Sequence, residues 1–318
     1  MSLQQLVEDL RGFPGLRRKR PIGRVLRELA GVWDFGNTLV GPGDDAAVLR
    51  AGDGRFLLLA ADGILASLIE VAPFHAGRAA VLVNANDIYA MGGRPLAMVN
   101  VMAGLTEAQE KEACRGMREE CGRLRVPMVG GHLSPEGQEP HLAVCVLGEA
   151  RSLLLDRLAA RDRAVLLALD LRGERWGEFL LNWDSHARKD PDTLCRDLGV
   201  LCELAEDGLA EAAKDVSNAG LLGSLAMLLQ GAGLGATVDL SHLEVPQAFT
   251  LSEWLKVYPS YGFLLVCRDA AREEVLRRFR ERGVWAGEIG RTDGSGVLRL
   301  RLGKEEAVFL DLGTEPVF

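Results

Sequence analysis

Asp44 and Asp45 follow Gly41-Pro42-Gly43, Asp62 precedes Gly63, Asp87 lies in a stretch that ends at Gly92-Gly93, and Asp215 introduces Ser217 and Asn218. Carboxylates at the ends of elements offer oxygen ligands to a hard cation, while glycine-rich turns and a helix amino terminus offer backbone N–H groups to phosphate. Any one of these aspartates could equally be a turn or cap residue. Their joint placement points instead to a magnesium-phosphate site. There the cation neutralises charge on the β and γ phosphates, and fixed dipoles hold the terminal phosphorus in line with its acceptor. His132, after Gly130-Gly131, is a candidate to accept a proton, orient substrate or hold phosphate, or is a polar turn residue. Lys214 reads either as a phosphate contact or as a surface lysine.

Other chemistries are excluded or weakened. No Gly-x-x-x-x-Gly-Lys-Ser/Thr stretch is present, which argues against a P-loop. Gly231-Ala232-Gly233-Leu234-Gly235-Ala236 loosely fits a dinucleotide pattern but follows a predicted helix and precedes a predicted strand, the reverse of the required order, so it reads as a helix-ending turn. Cys114, Cys121, Cys145, Cys195, Cys202 and Cys267 form no Cys-x-x-Cys pair, and core packing explains Cys114/Cys121 and Cys195/Cys202 better than metal binding does. A net charge of −8 argues against a general nucleic-acid partner. The most apolar stretch, 56–74, is interrupted by Asp62, Gly63, Glu70 and Pro73 and cannot span a bilayer, so no membrane role and a cytoplasmic location are expected. One basic run, Arg17-Arg18-Lys19-Arg20, is either a solvated segment or an arm that folds onto a bound polyphosphate.

These residues need elements to hold them. At 318 residues, two domains are expected. Residues 1–40 read as helical, with Pro21 opening a helix whose Ile22, Val25, Leu26 and Leu29 share a face. Residues 46–49 and 56–61 read as strands joined by a turn, 74–91 as a helix ended by Gly92-Gly93, and 96–102 as a strand. Thr106 should cap a helix through Leu124, followed by a buried strand at 126–129 that Gly130-Gly131 breaks, and another strand at 141–148. A second α/β region starts near residue 151: a strand at 164–169, a helical zone at 192–213, a short segment at 214–216, an apolar helix at 219–229, strands near 261–267 and 294–302, and a helix at 270–281. The division is thus a helical segment 1–40, an α/β region 41–150 and a second α/β region 151–318.

At these motifs the chain resembles the superfamily of aminoimidazole ribonucleotide (AIR) synthase, thiamine-monophosphate kinase, selenophosphate synthetase and the hydrogenase-maturation protein that makes a nitrile from a thiocarboxamide. Gly41-Pro42-Gly43-Asp44-Asp45-Ala46-Ala47-Val48 is similar to the kinase's opening motif. The run from Asn84 through Asn86-Asp87 to Gly92-Gly93-Arg94-Pro95 is similar to the central helix motif. Gly130-Gly131-His132 and the run from Asp215 to Gly223 stand in the third and fourth.

The resemblance implies a two-domain PurM-like α/β fold with mixed sheets, an amino-terminal domain that dimerises by pairing sheets into a β-barrel, and ATP with Mg2+ in a cleft near that interface. It assigns metal roles to Asp44, Asp45, Asp62, Asp87 and Asp215, catalytic roles to Asp45, Asp87 and His132, and nucleotide or substrate contacts to Gly41, Gly43, Asn84, Gly92, Gly93, Gly130, Gly131, Lys214 and Ser217. The thiamine kinase has aspartates where His132 and Asn218 stand, and its Gly-Glu-Asp-Tyr is replaced by Pro259-Ser260-Tyr261-Gly262. The amino-terminal catalytic cysteine of selenophosphate synthetase and the terminal cysteine of the hydrogenase-maturation protein are absent. An AIR-synthase-related branch is therefore the best fit. The activity implied is transfer of the γ-phosphate of ATP to a small-molecule acceptor, as a kinase or by activating an amide or carboxyl oxygen. The alternatives are a non-catalytic ATP-binding subunit and a metal-dependent phosphohydrolase.

Overall fold

A computed structural model of the chain describes residues 1–176 and 179–318. Three helices open it: α1 (Leu3–Arg11), α2 (Pro14–Arg17) and α3 (Pro21–Glu28). The apolar face expected of α3 is not buried, since no residue of that helix is, and Val25 and Leu29 stand exposed.

The first sheet is built from β1 (Thr38–Val40), β2 (Ala47–Arg50), β3 (Phe56–Ile64), β4 (Arg94–Ala103), β5 (Met128–Ser134) and β6 (His141–Ala150), in the order β1-β2-β3-β6-β4-β5. Short α4 (Ala66–Val71), then α5 (Pro73–Ala90) and α6 (Glu107–Leu124), supply its helices. Thr106 caps α6 as expected, in a box with Gln109 that satisfies two otherwise orphaned N–H groups. Gly77 and Gly116 let α5 and α6 touch backbone to backbone: a Cβ on either would stand 2.0 Å from a carbonyl oxygen of the facing helix. That contact fixes the helix that carries Asp87.

β5 departs from expectation. The strand does not end at Gly130-Gly131 but runs through them, and Val129 is exposed where a buried strand was predicted. Gly131 is required because Asn100 of β4 crowds it, with the Asn100 carbonyl oxygen 2.5 Å from where a Cβ would sit. Glycine here marks close approach rather than a turn.

The second sheet has the order β10-β13-β7-β14-β11-β15-β16, from β7 (Ala164–Leu169), β10 (Ala212–Asp215), β11 (Gly235–Asp239), β13 (Gly262–Cys267), β14 (Trp285–Asp293), β15 (Val297–Leu302) and β16 (Glu305–Asp311). A small sheet joins β8 (Glu174–Trp176), β9 (Phe179–Asp184) and β12 (Tyr258–Pro259). The helices are α7 (Pro191–Glu206), α8 (Gly220–Ala232), α9 (Leu251–Leu255) and α10 (Asp269–Glu281). The long helical zone expected over 192–213 stops at Glu206, because the chain turns back to make β10. α8 ends at Gly233 in the left-handed region, φ +68°, so the loose dinucleotide pattern is a helix-ending turn. Its buried Leu221, Leu222, Leu225, Leu228 and Leu229 join a core shared with Leu3, Leu6, Val7 and Leu10 of α1. All six cysteines are free thiols; Cys121 and Cys202 are buried as expected, whereas Cys114 is exposed.

Candidate functional site

Three of the aspartates come together from distant parts of the chain. Asp45 is delivered by the turn before β2, where Gly43 holds φ +125°, a conformation glycine adopts without strain. Asp87 projects from the last turn of α5, and Asp215 ends β10 at the edge of the second sheet. One carboxylate oxygen of each lies within 4.8 Å of the others, and the Asp215 amide donates to Asp45 Oδ2 at 3.4 Å. The site therefore straddles the two sheets.

A buried lysine braces this arrangement. Lys214, 2% exposed, hydrogen-bonds Asp45 Oδ1 and lies 4.0 Å from Asp44 Oδ1 and 3.6 Å from Asp156 Oδ2. Burial works against its charge, but Asp156, Asp45 and Asp44 outweigh it and hold the ammonium protonated. Asp44 does not face the trio: its Oδ2 accepts from the Asp156 amide at 3.0 Å and its Oδ1 from the Asp45 amide at 2.9 Å. Lys214 is thus a buried counter-ion, neither on the surface nor free for a phosphate.

One lysine cannot neutralise so many carboxylates. Burial, then Asp215, Asp62 and Asp45, push the Asp87 carboxyl well above its ordinary range. Burial and Asp45 push Asp215 up to about 8. Asp44 is raised by burial and Asp45, and Asp62 by burial and Asp45. Raised carboxyls in an all-oxygen donor set are what a hard divalent cation relieves. Three carboxylate oxygens within 4.8 Å of one another are near enough to share one cation. Asn84, fully buried, donates Nδ2 to the Ala80 carbonyl at 2.8 Å and leaves its Oδ1 without a partner.

The remaining candidates divide. Asp62 opens onto a cleft of about 560 Å³ lined also by Arg18, Asn218 and Tyr258. Ser217 is half-buried in the loop before α8 and donates its amide to Ser224 Oγ at 2.9 Å. Gly41 and Gly43 shape the turn before Asp44. Gly92 and Gly93 pack into the core: a Cβ on Gly92 would meet Ala205 at 2.7 Å, and one on Gly93 would meet Leu58 at 2.2 Å. Gly130, Gly131 and His132 pair with Val99, Asn100 and Val101 of β4. His132 is exposed beside Val101 on the open face of the first sheet, opposite α5.

Two residues of the neighbourhood were not singled out from the sequence. Asp156, 2% exposed, has both carboxylate oxygens unpaired by hydrogen bonds; only its place after the apolar run Leu153-Leu154-Leu155 hinted at burial. Tyr258 lines the cleft, its phenol held well above the ordinary range by burial and the charges of Asp62, Asp215 and Asp87.

Two α/β domains joined across a carboxylate site define a class of protein. The sequence profile of the AIR synthase-related N-terminal domain matches residues 43–150, and that of the C-terminal domain matches residues 165–303. The chain belongs to the AIR synthase-related family. An uncharacterised protein of Synechocystis is 36% identical over 275 residues, covering 86% of this chain and 85% of that one. Among solved structures, Thermotoga maritima PurL complexed with ATP superposes with a TM-score of 0.71 at 17% identity, over 92% of this chain and 52% of that one. This chain therefore spans about half the length of that synthase. AaThiL complexed with AMPPCP and TMP gives a TM-score of 0.67 at 17% identity, over 91% of this chain and 96% of that one. No helix among the described residues is long and apolar enough to cross a membrane.

Proposed function

We propose that the chain is an ATP- and Mg2+-dependent enzyme of the cytoplasm that transfers the γ-phosphate of ATP to a small-molecule acceptor, with residues 41–150 and 151–318 each supplying one wall of the site. The observation that carries this reading is the trio Asp45, Asp87 and Asp215, three carboxylates within 4.8 Å with Asp87 and Asp215 raised by burial and mutual repulsion. Support comes from the solved relatives, one complexed with ATP and another with AMPPCP and TMP. Mg2+ would be held by the trio, with Asp62 at the rim, and would supply charge neutralisation at the phosphates. Lys214, Asp44 and Asp156 keep Asp45 aimed at that position. The cleft beyond Asp62 would receive polyphosphate and acceptor. The acceptor oxygen forms a bond to the γ-phosphorus as the bond to ADP breaks, and the acceptor's proton leaves to water.

The test is a screen of purified protein with Mg-ATP and pools of small hydroxyl, carboxyl and amide compounds, followed by 31P NMR. ADP with a new phosphoryl species, or ADP and phosphate that depend on an acceptor, supports the reading. ADP release that no acceptor alters points to a phosphohydrolase, and binding without turnover points to a non-catalytic subunit.

The open face of the first sheet bears on assembly. Leu59, Val99, Val101 and Leu147 are each 39–47% exposed there. We infer that a second copy covers this face, as a homodimer with His132 at the interface. Sedimentation should give twice the chain mass, and Val101→Glu should give a monomer. A monomeric wild type overturns the dimer and leaves the site untouched.

A further inference from the structure

The run Arg17-Arg18-Lys19-Arg20 is positioned rather than loose. α1 buries Leu3, Leu6, Val7 and Leu10, Arg11 Nε donates to the Phe309 carbonyl at 2.7 Å, and Lys256 Nζ donates to Asp9 Oδ2 at 2.6 Å. α2 then meets the loop after Asp215 so closely that a Cβ on Gly15 would lie 1.9 Å from the Asn218 carbonyl oxygen. A Cβ on Gly223 would lie 3.2 Å from Leu16 Cδ1. These contacts fix the chain just before Arg17, beside the cleft that Asp62 lines.

Arg18 lines that cleft together with Asp62 and Asn218. Lys19, the next residue along, is half-buried. Among the described residues, none of the four basic side chains makes an ion pair or a side-chain hydrogen bond. A residue serving only as counter-ion would close on one carboxylate, as Lys214 closes on Asp45. Lys19 and Arg18 instead keep their donors unspent, Arg18 against the cleft that Asp62 lines.

We propose that Lys19 and Arg18 form a polyphosphate-binding arm that takes the β and γ phosphates of the nucleotide from the side opposite the carboxylates. The inference rests on the Mg-ATP reading above. Lysine supplies a compact charge that follows the phosphate, and arginine a planar fork that grips two phosphate oxygens.

The test is calorimetry on the full chain with Mg-ATP, Mg-AMP and Mg2+ alone, for wild type, Lys19→Ala, Lys19→Arg and Arg18→Ala. Thermal melts check that each variant folds. Losing a charge-assisted hydrogen bond should weaken Mg-ATP by roughly tenfold or more in the alanine variants. Mg-AMP should change little, Lys19→Arg should retain most of the affinity, and Mg2+ alone should bind as well or better because a repelling cation has gone. Mg-ATP affinity unchanged in both alanine variants, with Mg2+ alone tightened, makes Lys19 a counter-ion and overturns the arm. Parallel loss of Mg-ATP and Mg2+ makes it a structural brace and also overturns the arm. A wild type that binds no Mg-ATP removes the functional reading and the arm with it, an outcome distinct from either.

Discussion

Two clusters of buried charge flank α5, and they are built to opposite ends. Near its start, Arg78, 6% exposed, donates Nε to Glu120 Oε2 at 2.9 Å and Nη1 to Asp184 Oδ2 at 3.1 Å. His186 Nδ1 lies 3.7 Å from Glu120 Oε1. Burial alone would raise Glu120, but His186 and Arg78 hold its carboxyl below the ordinary value. At the far end of the same helix, Asp87 meets Asp45 and Asp215 with Lys214 bound to Asp45, and Asp87 and Asp215 are pushed up. The first cluster carries its own cations; the second has fewer than its carboxylates need. A charge cluster that folding completes is a structural element, whereas one that folding leaves short of positive charge is a site for an incoming cation.

The contrast can be broken by mutation at either end. Arg78→Met should have the largest effect on stability, about 3–5 kcal/mol, because it leaves Glu120 and Asp184 buried and unpaired; denaturant melts read this directly. A loss below about 1 kcal/mol would place the first cluster in the same category as the second. Asp87→Asn should do the reverse. Removing a repelling carboxylate should leave the metal-free melting temperature equal or higher, while Mg-ATP affinity falls by roughly a hundredfold, the loss of a charged ligand to metal being worth about 3 kcal/mol. A variant that melts lower and still binds would contradict the assignment.

A smaller effect separates the clusters by pH. Asp215 has its carboxyl at about 8 when folded, raised first by burial and then by Asp45, against about 3.9 in an unfolded chain. A raised carboxyl favours the protonated native state, so its stabilisation is complete below about pH 4 and is lost as pH rises through about 8. Glu120, held low, has the opposite sign: its contribution is present above about pH 4.3 and is lost on acidification. The metal-free melting temperature should therefore decline between about pH 5 and 8, and saturating Mg2+ or Asp215→Asn should flatten that decline. A decline that survives both would assign it to groups outside the trio.

Much of the frame was legible in local sequence because local rules governed it. The Thr106 cap with Gln109, the Gly92-Gly93 stop after α5 and the apolar runs of β7 and β13 each follow from nearby residues alone. Gly130-Gly131 was misread because glycine can signal either a turn or crowding, and only the approach of Asn100 on the neighbouring strand decides between them. The aspartates were legible as a set, but not their sorting into Asp45, Asp87 and Asp215 on one side of Lys214 and Asp44 with Asp156 on the other. That sorting depends on β10 meeting the turn before β2, a contact between residues 169 positions apart. The burial of Lys214 has the same non-local origin.

The central claim is that Asp45, Asp87 and Asp215 hold the cation of a bound nucleotide. Calorimetric titration of Mg-ATP into the wild type and into Asp87→Asn, with and without EDTA, tests it most directly. The account predicts binding to the wild type that EDTA abolishes and affinity weaker by roughly a hundredfold in a fully folded Asp87→Asn. Wild-type affinity in that variant, or binding to the wild type that EDTA leaves intact, would contradict it.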